Sequence, residues 1–555
     1  MKDKVTIFCK NNNQYIQVPT GSSLLEIKDM LGIEMPFLLS NAKVNNKGES
    51  LHFRVYGPKT VEYVDISESS GMRCYVRSLC FVMAKAIFDL YPKSVFNINH
   101  PVSRGYYCTV TKQDEIIKID LDSLKSRMRE LIKEDIPFEP LEDETEKVVA
   151  MFREMDFEDK ALLLETSGSL YSKYYRLGNY ADYFYGSLLA SSGCLNIFDI
   201  EPFDEGFLLR VPNRQNPVEL EPLVEQPMMH SVYNEQTKFL EIIRLNNVGE
   251  LNKANQEGLM SGIIKVSEAL QEKSIADIAN KISARYKEGV RVVLIAGPSS
   301  SGKTTFRKRL EVQLMTNLLK PVGLSLDDYF VDRELTPLDE KGDYDFESLY
   351  ALDINQFNAD INLLLDRQEV SIPSFNFTTG KREYKGHKLK INEHSILVIE
   401  GIHGLNPELT KQIDDSQKFM VYVSALTAIS LDNHNWIPTT DNRLLRRLIR
   451  DFKYRSYSAI DTLSRWSSVR KGEEKWIFPF QENADVMFNS AMIYELAALR
   501  KYAEPILMQV PKKAPEYSEA SRLLNFLSYF NNITDRELPP TSLLREFLGG
   551  SSFKY

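Results

Sequence analysis

The sequence predicts an α/β protein. Its C-terminal half should be a parallel sheet flanked by helices, preceded by a small β-rich unit and an α+β unit. Three observations predict it. Short apolar strands alternate with helical stretches from about residue 288 to 510, the pattern of a sheet covered on both faces. The strand VVLIA runs into GPSSSGKT and then into the helical TTFRKRLEVQLM, the strand–glycine-rich loop–helix order of a P-loop NTPase. Finally, 555 residues are too many for one core, and at about 150 residues per domain they suggest three or four.

Residues 1–66 read as the β-rich unit. VTIFCK and QYIQVP flank Asn11, Asn12 and Asn13 as a hairpin, SLLEIKDMLG is a short helix stopped by Gly32, and LHFRVYG and TVEYVDI are further strands. Residues 67–240 open with MRCYVRSLCFVMAKAIFDLYP, whose apolar positions recur at helical spacing, and continue through strands such as GYYCTV and GFLLRVP. A helical linker is expected over 241–287, ended by Gly289, and the sheet unit over 288–510. The tail, 511–555, reads as a helix, a proline stop and a second short helix capped by glycines.

The composition, 43% hydrophobic and 26% charged, is that of a soluble globular protein, and no apolar run reaches the roughly 20 residues that span a bilayer. The N-terminus shows no apolar signal-peptide core, so a cytoplasmic location is expected and no membrane partner. A net charge of −9 argues against a dedicated nucleic-acid binder, although a local basic face in the N-terminal domains remains open. The five cysteines are scattered through the N-terminal half without a CxxC and read as free thiols.

Residues Gly297, Pro298, Ser299, Ser300, Ser301, Gly302, Lys303, Thr304 and Thr305 form the phosphate cradle. Its glycines let successive N–H groups turn toward phosphate oxygens, and the following helix adds a favourable dipole. Lys303 should reach the β- and γ-phosphates of ATP and the Thr304 hydroxyl should ligate Mg²⁺. PVGLSLDDYF ends in carboxylates where ligands bind in open α/β sheets; capping or solvated aspartates are the alternative. SILVIEGIHGLN closes on Glu400, placed to hold Mg²⁺ directly or through water, while His403 reads as a loop hydrogen-bonder. In TDNRLLRRLIRDFKYRS, Arg443, Arg446 or Arg447, and Arg450 share one helical face. They could close over a triphosphate; a solvated basic helix is the other reading.

GPSSSGKTT, SLDDYF, DYDFESLYALD, IPSFNF, VIEGIHGLN and DNRLLRRLIRD resemble, in this order, the uridine kinase branch of the uridine kinase/phosphoribulokinase family over residues 288–510. The front half resembles a TGS domain, a β-grasp fold, followed by the second additional domain of threonyl-tRNA synthetases. The resemblance implies an ATP-dependent kinase phosphorylating a nucleoside 5′-hydroxyl, uridine first and cytidine second. Asp327 would orient and help deprotonate that hydroxyl, and Lys303, Arg443 and Arg446 would complete the catalytic set. Arg455 would meet the nucleotide phosphates, Tyr329 and Phe330 the base, and Glu347 the ribose with Asp345 beside it. The family implies a homo-oligomer as well.

The chain departs from the family at Phe375, Asn376 and Phe377, where uridine kinases show Tyr-Asp-Phe, and it lacks the pyrimidine-reading histidine that follows. The base served is therefore left open. The HxxxH zinc pair of the synthetase editing domain falls on Arg77 and Phe81, which excludes that hydrolase and leaves a binding, regulatory or scaffolding role for the front half. Two further readings stay open: a kinase for another nucleoside or small hydroxyl substrate, and an RNA- or ribosome-associated P-loop regulator.

Overall fold

The computed structural model describes residues 4–340 and 342–554. The first unit is a five-stranded sheet with one helix against it. The hairpin Lys4–Cys9 and Gln14–Pro19 forms as expected, and Lys59–Asp65 runs parallel to its first strand. Helix Leu24–Leu31 begins with a capping box between Ser23 and Glu26 and ends on Gly32 in the left-handed region, so both ends are satisfied locally. LHFRVYG does not form a strand. Its backbone instead bonds the loop leading into that helix, Phe53 O and Ser22 O accepting from Leu24 and Val55. The remaining strands are Leu39–Val44 and Lys47–Glu49, joined through Asn45 and Asn46, both at positive φ as a tight hairpin turn requires.

The second unit is built around helix Ser69–Leu90, whose residues from Cys74 to Ile87 are almost all buried. Beside it lies an antiparallel sheet ordered Asp199–Phe203, Gly206–Arg210, Gly105–Lys112, Val95–Val102, and a smaller one of Tyr180–Asp182, Tyr171–Leu177 and Glu139–Glu144.

The third unit is an all-parallel five-stranded sheet. Its order is Lys320–Ser325, Ser395–Glu400, Val292–Ala296, Lys418–Ser424, Val486–Asn489. The central strand, Val292–Ala296, is buried at every residue, which is why it reads as an unbroken apolar run. Helix Met260–Lys287, expected as a linker, lays Ile275, Ile278, Ala279 and Ile282 on this sheet with Val293, Ile295 and Phe306. Leu543 and Phe547 of the tail enter the same core. Both segments carry apolar residues at helical spacing, and such a face is buried rather than left in a linker. No helix among the described residues is long and apolar enough to cross a membrane.

The second and third units share one apolar core, in which Phe152, Leu164 and Tyr185 pack with Leu444, Leu448 and Phe526, and polar contacts add to it. Helix Pro227–Ile243 starts with the N–H groups of Met228 and Met229 donating to Glu482, at 3.0 and 3.3 Å. Deeper in, the Lys160 ammonium sits 2.8 Å from Asp182 and 2.9 Å from Asp432, and His434 Nδ1 lies 2.6 Å from Asp182, all four side chains buried. Burial works against the Lys160 charge, but the surrounding aspartates outweigh it and raise its pKa. Burial likewise opposes the Asp182 charge, yet Lys160 and His434 hold that carboxyl down to about 2.

Candidate phosphate-binding and catalytic site

Strand Val292–Ala296 delivers the loop 297–302 to the carboxyl edge of the sheet, where helix Lys303–Thr316 begins. The loop is folded into its cradle by groups from outside it. Arg443 Nη1 donates to Ser299 O at 3.1 Å, the Ser299 N–H donates to Glu473 at 3.2 Å, and Arg447 Nη1 donates to Ser299 Oγ at 2.9 Å. Ser300 is thereby held at φ 59°, a left-handed conformation that costs a non-glycine residue on the order of 1–3 kcal/mol and that the surroundings must enforce. Lys303 arches back so that Nζ donates to Gly297 O at 2.8 Å and Pro298 O at 3.0 Å. Burial lowers its pKa, while Glu400 and Asp327 oppose that shift.

The strand register sets the carboxylates level with the cradle. Glu400 lies opposite Ile295 on one side and Ser325 on the other, and Asp327 follows two residues later in a turn capped by the Ser325 hydroxyl. Asp327 opens onto the crevice but is walled closely enough that desolvation raises its pKa, with Lys303, Arg455 and Arg450 pulling it back. Burial pushes Glu400 up to about 7 against Arg307 and Lys303. Its Oε2 is buried with no hydrogen-bond partner, as are Ser300 Oγ and Ser301 Oγ. Buried polar atoms are normally satisfied, so this convergence of unpartnered oxygens beside a lysine suits a polar ligand. His403 is pushed down to about 4 by burial and is a neutral imidazole at pH 7.

The acceptor segment reaches the same place. Glu347 is raised to about 7 by burial and by Glu473, with Arg447 and Lys303 opposing. Gly472 makes this approach possible, because a Cβ there would overlap the Glu347 side chain. Asp345 shapes the turn by accepting the Glu347 N–H at 3.2 Å.

The structure thus brings together the loop 297–302, Lys303, Thr304, Asp327, Glu347 and Glu400, with Arg455 at the outer edge; Arg443, expected over the triphosphate, is instead buried, paired with Glu473 and donating to the Ser299 carbonyl. It does not bring Tyr329 or Arg446 to the crevice. Tyr329 is wholly buried, packed edge-on against Phe357, and its hydroxyl donates to Asp360 at 3.1 Å. Arg446 is wholly buried behind the cradle. It donates to Glu495 at 2.7 Å and to Ser490 Oγ at 3.0 Å, and touches the loop only through Ser300 O at 3.4 Å. Phe330 and Phe375 are half-buried with ring centroids 5.5 Å apart, and Phe377 stands exposed beside them. Asn376 is engaged in its own hairpin, accepting from the Thr378 and Thr379 N–H groups and donating to Glu383.

Sequence reading missed Glu473. It is fully buried, takes Arg443 in a bidentate pair, accepts from Arg470 at 2.8 Å and receives the Ser299 N–H. The one local signal is Arg470 three residues before it on helix Ala459–Trp476.

Residues 292–496 match the model described as the Phosphoribulokinase / Uridine kinase family. Among curated proteins, the threonine–tRNA ligase of Rubrobacter xylanophilus is 26% identical over 186 residues, which is 34% of this chain and 29% of that protein. The uridine kinase of Ureaplasma urealyticum is 25% identical over 198 residues, 35% of this chain and 86% of that protein. The uridine kinase of Lactobacillus helveticus is 25% identical over 197 residues, 35% and 84% respectively. The chain therefore spans most of the kinases it matches but under a third of the ligase.

Proposed function

With a phosphoribulokinase/uridine kinase family domain as its C-terminal part, we propose that this chain is an ATP-dependent kinase for the 5′-hydroxyl of a nucleoside, uridine first and cytidine second. The observation that carries this reading is the convergence on one cradle of Lys303, the unpartnered oxygens of Glu400, Ser300 and Ser301, and Asp327 at the mouth. Thr304 and Glu400 would hold Mg²⁺, which supplies neutralisation of phosphate charge when bound.

The protein's own work is alignment and electrostatics. Lys303 exchanges its two loop carbonyls for phosphate oxygens. Asp327 accepts a hydrogen bond from the acceptor hydroxyl and takes its proton. Glu347 accepts from ribose hydroxyls, and the Phe330–Phe375 pair offers an aromatic wall. Arg443, held by Glu473, keeps the Ser299 peptide in its cradle geometry. The front half is assigned a binding, regulatory or scaffolding role. Its two zinc-ligand positions hold Arg77, which donates to Ser187 O at 3.2 and 3.0 Å, and Phe81, packed on Phe138, Tyr180 and Phe184.

The test is ADP release from Mg·ATP with a panel of nucleosides. Turnover should appear with a nucleoside and fall by about 10²–10⁴-fold in Asp327→Asn, while ATP binding is kept. Turnover without dependence on any hydroxyl acceptor, or an unaffected Asp327→Asn, would sink the reading.

A further inference from the structure

The cradle already carries an anion of the protein's own. Glu546, in the C-terminal segment, accepts from the Thr305 N–H at 3.2 Å and from the Thr305 hydroxyl at 2.6 Å. Thr305 is the third residue of helix Lys303–Thr316, so its N–H lies in the first turn, whose donors commonly go to caps or ligands. In a phosphate-binding loop these are the donors that face the nucleotide. A carboxylate on both of them stands where a phosphate oxygen would.

The rest of the segment fixes it there. Leu543 packs on Gly302, which is at φ +84° and has no room for a Cβ on that side. Phe547 is buried in the core with Phe306 and Phe488, and Arg446 lies 5.1 Å over its ring. Lys453, on the arginine helix Thr439–Tyr454, donates to the Leu548 carbonyl. The same cradle also holds Glu400, nine-tenths buried with an unpartnered oxygen, so polar capacity is left over beside the occupied donors.

We propose that the C-terminal segment 542–550 is an intramolecular competitor for the nucleotide, with Glu546 leaving Thr305 when a nucleoside triphosphate seats. This rests on the nucleotide-binding reading and deepens it: the chain's own tail sets how tightly the cradle holds its ligand. Lys453 on the arginine helix holds Leu548, so weakening that contact should loosen the tail.

The experiment is titration of Mg·ATP into the full chain by calorimetry, comparing the wild type with Glu546→Gln and Lys453→Met. Glu546→Gln keeps the shape of the side chain and removes its charge. Affinity should tighten about tenfold, the weight of one charge-assisted hydrogen bond, with a smaller gain in Lys453→Met. A purely structural cap predicts the opposite, unchanged or weaker ATP binding with a lower melting temperature, and that result overturns the proposal. If Glu546→Gln does not fold, Lys453→Met decides by the same criterion. Equal binding in all three proteins removes the competitor and leaves the kinase reading standing; no binding in any of them removes both.

Discussion

Replacing Lys160 with methionine tests whether the front half and the kinase domain behave as one body. The change keeps most of the side-chain volume and removes the ammonium that lies 2.8 Å from Asp182 and 2.9 Å from Asp432. Both carboxylates are wholly buried, so neither can recover its loss from water. Breaking a buried pair by deleting one partner costs about 3–5 kcal/mol, against a total stability of only about 5–15 kcal/mol for a domain.

In the wild type the Asp182 carboxyl is held down to about 2. Its contribution is present above the ordinary aspartate value and is lost as pH falls through that value toward 2. Asp432 is already raised by burial in the wild type, with Lys160 opposing; removing Lys160 lifts that opposition, so the folded variant holds a proton there to higher pH and gains stability as pH is lowered. Scanning calorimetry should show a melting temperature several degrees lower at pH 7. Adding Asp432→Asn should recover part of the loss, since the two sites are coupled. A variant that melts like the wild type at pH 7 would refute the claim that this cluster stabilises the seam between the units.

Two further predictions separate core from site. Tyr329→Phe removes a buried hydroxyl that donates to Asp360. It should cost about 1 kcal/mol in urea unfolding and leave the KM for the nucleoside acceptor unchanged; a raised KM would return Tyr329 to the substrate. Glu347, raised to about 7 from an ordinary 4.5, binds a proton on folding between those values. Its contribution therefore weakens the ligand-free protein as pH rises from 5 to 8. Glu347→Gln should flatten that dependence in thermal melts, and an identical slope in both proteins would show that Glu347 does not titrate there.

The cradle was legible in the sequence because its chemistry is local: strand, loop and helix are contiguous, and Lys303 and Thr304 follow from position alone. Glu400 and Asp327 were legible for a related reason, since a parallel sheet sends the carboxyl ends of its strands to one edge. The arginine helix was legible only as a face. Spacing places Arg443 and Arg446 on one side but does not say what that side meets. Arg443 meets Ser299 and Glu473, while Arg446 meets Glu495, which is 49 residues further on. Tyr329 follows Asp327 by two residues, and the 3-10 turn from Leu326 to Tyr329 points it inward instead of toward the crevice. Glu473 and Glu546 left almost no signal, because their partners are 174 and 241 residues away at Ser299 and Thr305.

The Lys160 cluster also sets a timetable. Lys160 and Asp432 are 272 residues apart, and at a synthesis rate of about 5–20 residues per second the second arrives tens of seconds after the first. Until then Lys160 and Asp182 lie on an unfinished surface of the nascent chain, hydrated and open to whatever attends the ribosome exit. The front half is made first but buries this cluster only once Asp432 and His434 are present, so a chain cut short before Asp432 would expose a charge patch that the finished molecule buries.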